Sequence, residues 1–108
     1  MGLSEPLAVT ESLLSIDTNV ALGAIDLGTA LSLVYTLTVV TNNLKWTVYG
    51  ANAADYSDEV EAQAEATVNV GAIGTYSTTQ AIYRYYRAKL KAAVGGSQGT
   101  GTIRGVAK

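Results

Sequence analysis

Alternation with a period of two, in short runs cut by turn signals, constrains this chain more than any other feature of its sequence. The run over residues 80–91, QAIYRYYRAKLK, shows it well. Read as a β-strand, it sends Ile82, Tyr86, Ala88 and Leu90 to one face, with Arg84 the exception. Tyr83, Tyr85, Arg87, Lys89 and Lys91 go to the other. Residues 30–40 repeat the pattern, with Leu31, Leu33, Tyr35, Leu37 and Val39 in an apolar row and Ser32, Thr36 and Thr38 behind it. That is the pattern of a central strand. Thr41-Asn42-Asn43 then predicts a tight turn into residues 44–49, where Leu44, Trp46 and Val48 alternate with Lys45, Thr47 and Tyr49.

Further strands are expected at 8–16, 20–27 and 100–106, with turns at Asp17-Thr18-Asn19, at Gly28-Thr29 and over the glycine-rich 94–99. Residues 59–70, EVEAQAEATVNV, carry a capped-helix composition, with Asp58 three residues before Glu61. Yet Val60, Ala62, Ala64, Ala66, Val68 and Val70 alternate without a fault, and only a strand puts all six on one face. Residues 71–79 read as a loop. Seven or eight strands with turns every eight to twelve residues predict an all-β fold, an antiparallel β-sandwich of jelly-roll-like form. Residues 8–108 are expected to be its single domain, and residues 1–7, aperiodic and holding the only proline, an N-terminal arm.

The totals exclude several chemistries. With no Cys and no His in 108 residues, thiol and imidazole catalysis, disulfides and zinc fingers are ruled out. No Ser-x-x-Lys motif is present. The glycines between Gly95 and Gly101 are followed by no Gly-Lys-Ser/Thr, so a turn is a better reading than a phosphate loop. No cofactor is expected. No run approaches the ~20 apolar residues that span a bilayer as a helix, and no membrane partner is expected. The opening MGLSEP lacks a basic region leading into an apolar run, so no export signal is expected and assembly in the cytoplasm is predicted. The apolar set is rich in Ala and has no Phe and one Trp. A thin core is expected, supplemented by burial against other subunits.

Charge is segregated along the chain. All nine acids and one base, Lys45, lie in residues 1–65, and six bases with no acid follow in 66–108. The acidic row Asp55, Asp58, Glu59, Glu61 and Glu65 invites a calcium reading, but the glycine-bearing loop of a calcium hand is missing. A salt-bridged strand face is the better expectation. Glu59, Glu61 or Glu65 is expected to pair with Arg87, Lys89 or Lys91, across a hairpin or a subunit boundary. The basic aromatic strand could stack single-stranded nucleic acid, but six bases beside nine acids argue against a nucleic-acid partner. Tyr56, Tyr76, Tyr83 and Tyr85 are the stacking candidates of an alternative, glycan-binding reading.

Three stretches together, WTVYGAN from Trp46, YRYYRAKLK from Tyr83 and GSQGT…RGVAK from Gly96, resemble small β-sandwich virion proteins of tailed bacteriophages and prophages. The likeness covers about the last two-thirds of the chain. The first two stretches are also similar to discoidin-type carbohydrate-binding jelly rolls, whose cysteines and length are missing here. The phage resemblance implies a noncatalytic virion protein, first of all a capsid decoration (cement) protein, with a tail- or fibre-associated protein as the alternative. The expected partners are the chain itself, as a homo-oligomer such as a trimer, and a major capsid protein. The expected interface is Leu3 and Leu7 of the arm with Glu59, Glu61, Glu65, Tyr83, Tyr85, Arg87, Lys89 and Lys91.

Overall fold

A computed structural model describes residues 7–16 and 20–108, without the side chains of 7 and 11–16. The described residues form eight strands and no helix: β1 (Leu7–Ile16), β2 (Val20–Asp26), β3 (Leu33–Thr41), β4 (Leu44–Ala51), β5 (Val60–Val68), β6 (Ile73–Thr78), β7 (Tyr85–Ala92) and β8 (Gly99–Ala107). They build two antiparallel four-stranded sheets, β1-β8-β3-β6 and β2-β7-β4-β5. Apart from β4 and β5, which pair within one sheet, successive strands alternate between the two sheets, and the fold is the expected β-sandwich. The expected arm and the turn at 17–19 lie outside the described residues, apart from Leu7, whose backbone opens β1 opposite Ala107.

The core is what the alternation predicts for the central strands. Leu33, Tyr35, Leu37 and Val39 of β3, Leu44, Trp46 and Val48 of β4, and Tyr86, Ala88 and Leu90 of β7 are all buried between the sheets. Burying each of the larger apolar side chains contributes about 1.5–3 kcal/mol. The core is not merely thin and Ala-rich, because its rings lie over glycines. Tyr35 covers Gly105 of β8, where a Cβ would stand 2.6 Å from the ring, and Trp46 covers Gly74 of β6.

Four local expectations need correcting. Residues 73–78 are not loop but β6, in which half-buried Gly74, Tyr76 and Thr78 alternate with exposed Ile73, Thr75 and Ser77 beside β3. The even alternation of 59–70 does not make a buried face. β5 is an edge strand with two shifts of register against β4, so only Val68 is buried while Val60 and Val70 are exposed. In β2 a bulge sets Gly23 and Ala24 against a single residue of β7, and Leu22 and Ile25 both point inward. Gly23 holds φ at +70°, which a residue with a Cβ resists. Finally, Leu31 and Ile82, expected in the core, precede the strands that they were to join and are exposed.

A candidate interaction surface

The outer face of the β2-β7-β4-β5 sheet gathers most of the charge. β7 turns Tyr85, Arg87, Lys89 and Lys91 outward, and β4 sets Ala51, Tyr49, Thr47 and Lys45 directly opposite them. Lys45 thus faces Lys91, a like-charge pair that would be unfavourable alone. Glu65 of β5 separates the two, with its carboxylate 3.1 Å from Lys91 Nζ and 3.9 Å from Lys45 Nζ.

The inner part of the lattice is tighter. Glu59 accepts hydrogen bonds from Arg87 Nε at 3.0 Å and Lys89 Nζ at 2.6 Å, and its side chain is only 16% exposed. Burial alone would raise its pKa, but the hydrogen bonds from Lys89 and Arg87, with their charges, outweigh this and leave it below the usual carboxylate value. Tyrosine rings cover the cations, Tyr56 lying 4.1 Å from the Arg87 guanidinium and Tyr49 4.7 Å from Lys89 Nζ. Tyr56 also donates its hydroxyl to the Tyr86 carbonyl and meets Tyr85 edge to face.

The loop before β5 makes this possible. Asp58 accepts from the Asn52 and Ala53 amides, and Asp55 from the Ser57 amide. These bonds hold Tyr56 at φ +60° and aim its ring back at β7. At the far corner Arg84 donates twice to Asp26, at 2.9 and 3.1 Å, and stands 5.2 Å from the Tyr85 ring. That hydrogen bond, first, and one from the Gly28 amide hold the Asp26 carboxyl below its ordinary value.

Six of the expected residues, Glu59, Glu65, Tyr85, Arg87, Lys89 and Lys91, therefore share one face. Their ion pairs form within the chain. They do not cross a hairpin, because β5 and β7 are not neighbours and β4 lies between them. Glu61 is exposed on β5 opposite Tyr49. Tyr83 leaves this face, since the backbone before β7 is irregular and turns its ring over Gly50 and against Tyr86, with centroids 5.9 Å apart. Leu3 lies outside the described residues. Tyr49 and Tyr56, the rings that cover the cations, were not foreseen in that role, though strict alternation already put Tyr49 on the face of Lys45.

The four stacking candidates form no common platform. Tyr56 and Tyr85 are occupied by Arg87 and Arg84, while Tyr76 and Tyr83 pack on Tyr86. The acidic row disperses in the same way, and among the described residues no group of acids is placed to hold a metal ion. A cleft of about 220 Å³ lies at one end of the sandwich, lined by Asn42, Asn43, Val70, Ala93, Val94 and Ser97. Its asparagines are taken up by the fold, Asn42 donating to the Gln98 carbonyl and Asn43 accepting from the Val70 amide. The opposite sheet presents a contrasting outer face, where Arg104 is the one charge among the described strand side chains.

No family model matches the chain, and no curated protein matches it. Solved structures share the fold. The SPBc2 prophage-derived protein YomS superposes with a TM-score of 0.59 at 7% identity, over 99% of this chain and 97% of its own. A structure of the disulfide-linked pili formed by Bacillus endospore appendages superposes with a TM-score of 0.54 at 11% identity, over 100% and 98%. At such identities the likeness is one of fold, an end-to-end match of the whole sandwich.

Proposed function

We propose that this protein is a noncatalytic structural protein of a virion, acting as a decoration protein that stabilises a phage head through contacts with the major capsid protein and with itself. The observation that carries this reading is the self-neutralised outer face, in which each described cation of β7 is already held by a carboxylate or a ring. Such a lattice fixes shape and charge pattern, as an assembly surface requires, and leaves no poised acid or base. Asp26, Asp55 and Glu59 are shifted down and Tyr56, Tyr76 and Tyr86 up, so all six keep their ordinary charge at neutral pH. The sequence resemblance to phage virion proteins and the prophage-derived fold neighbour support the same reading.

A tail- or fibre-associated role is the second reading, favoured by the pilus subunit among the fold neighbours. A fibre of this chain would lack the disulfide links of those pili, because the chain has no Cys. The test is mass spectrometry of purified particles with a heat challenge. A cement protein is present at a fixed ratio to the major capsid protein, and heads lacking it release DNA at lower temperature. Heads of unchanged stability would remove the decoration role, and particles without the chain would remove the virion role.

A further inference from the structure

Four strands lie at sheet edges, β1 and β6 in one sheet, β2 and β5 in the other. An edge exposes unpaired N–H and C=O groups, and folded proteins guard it with charges, bulges or proline. Three of these edges are guarded. β1 carries Glu11 and a bulge between Leu13 and Ile16, β2 carries Asp26 and the Gly23 bulge, and β5 carries Glu61, Glu65 and two register shifts. β6, IGTYST, has no such guard. It has no charge and no proline, and its register with β3 runs unbroken from Ile73 opposite Thr38 to Thr78 opposite Leu33. No charged residue stands between Glu65 and Arg84. Large exposed apolar side chains flank both ends of this edge. Val70 (50%) and Ile73 (64%) stand at one, and Ile82 (75%) and Leu31 (68%) at the other, where the Ala81 amide donates to the Leu31 carbonyl.

We propose that β6 is a docking edge for β6 of a second copy of this chain, paired antiparallel about a two-fold axis perpendicular to the sheet. A two-fold contact sets a strand against itself, so a charged strand would oppose like charges. β6 is the edge whose own sequence avoids this. The same axis carries the Val70–Ile73 end of one copy toward the Leu31 and Ile82 end of the other, so each exposed apolar cluster meets its counterpart. The two four-stranded sheets become one of eight strands. A two-fold axis perpendicular to the sheet keeps outward side chains outward, and the registers that place Thr75 or Tyr76 on the axis pair the greatest length of β6. The contact is independent of a virion role and would serve a head or a fibre equally.

The test uses the full chain. At high micromolar concentration sedimentation should give a dimer. Thr75→Lys and Ser77→Lys, both at exposed outward positions, should each give a folded monomer by circular dichroism, while Thr10→Lys on β1 keeps the dimer. The absence of native Cys makes single thiols clean reporters. Oxidised Thr75→Cys crosslinks to itself if Thr75 is on the axis, and a mixture of Thr75→Cys and Ser77→Cys crosslinks if Tyr76 is. A monomeric or trimeric wild type, an undiminished Thr75→Lys and Ser77→Lys dimer, or thiol crosslinking no greater than that of Thr10→Cys overturns the proposal. A dimer lost on removing residues 1–6 but kept in both lysine variants also overturns it, making that segment the occupant.

Discussion

The Tyr35 hydroxyl donates a hydrogen bond to the Gly23 carbonyl, tying β3 of one sheet to the bulge in β2 of the other. The bond is buried and lies where the β2 backbone departs from regular pairing. Tyr35→Phe removes the donor and leaves the ring over Gly105 in place. The expected cost is about 0.5–1.5 kcal/mol, seen as a lower urea midpoint with an unchanged slope.

Gly50 and Tyr83 form a second such pair. A Cβ at position 50 would stand 2.7 Å from Tyr83 Cγ, so Gly50→Ala must push the ring away from Tyr86. Overpacking of this kind costs about 1–3 kcal/mol. In the background of Tyr83→Ala the space is open, and the Gly50→Ala cost should nearly vanish. Additive losses in a double-mutant cycle would show that the close approach is not the cause.

Glu59 gives the fold an acid-sensitive joint. Its folded-state pKa lies below its unfolded value, so its contribution is present above the unfolded pKa, about 4.3. That contribution is lost as pH falls through the folded value. Asp26 and Asp55 act in the same direction. Glu59→Gln should cost about 1.5–3 kcal/mol at neutral pH, the range for hydrogen bonds to charged groups. It should also lose less stability than wild type on acidification below about pH 4. Equal acid sensitivity of the two proteins in thermal melts would assign the effect to other carboxylates.

These joints differ in how far the sequence announces them. Period-two alternation identified the buried rows of β3, β4 and β7 because those strands are flanked on both sides and cannot slip. It failed for β5, whose alternation is as regular, because an edge strand with two register shifts does not keep one face inward. β6 was hidden by its glycine and short threonines, which read as loop until β3 lies beside them. The ion pairs were foreseen by charge sign, but not their path across β4. Segregated acids and bases say which residues attract one another and nothing about strand order. The Gly23 bulge had a visible signal in its glycine, whereas the turn of Tyr83 away from the basic face depends on the irregular backbone at 81–84 and had none.

Tyr56 sets opposing effects against each other at one position. Its φ of +60° costs a residue with a Cβ roughly 1–2 kcal/mol, a cost that Tyr56→Gly would relieve. The same change removes the hydroxyl bond to the Tyr86 carbonyl, about 0.5–1.5 kcal/mol. It also removes the ring over Arg87, about 0.5–2 kcal/mol, and the edge contact with Tyr85, about 0.5–1.5 kcal/mol. At mid-range the losses exceed the relief, so Tyr56→Gly should destabilise by about 2 kcal/mol. Tyr56→Phe keeps both ring contacts and the strain and loses only the hydroxyl bond, so it should cost about 1 kcal/mol. Chemical denaturation of both variants measures the balance. A Tyr56→Gly protein more stable than wild type would mean that backbone strain outweighs everything the ring does for the charged face.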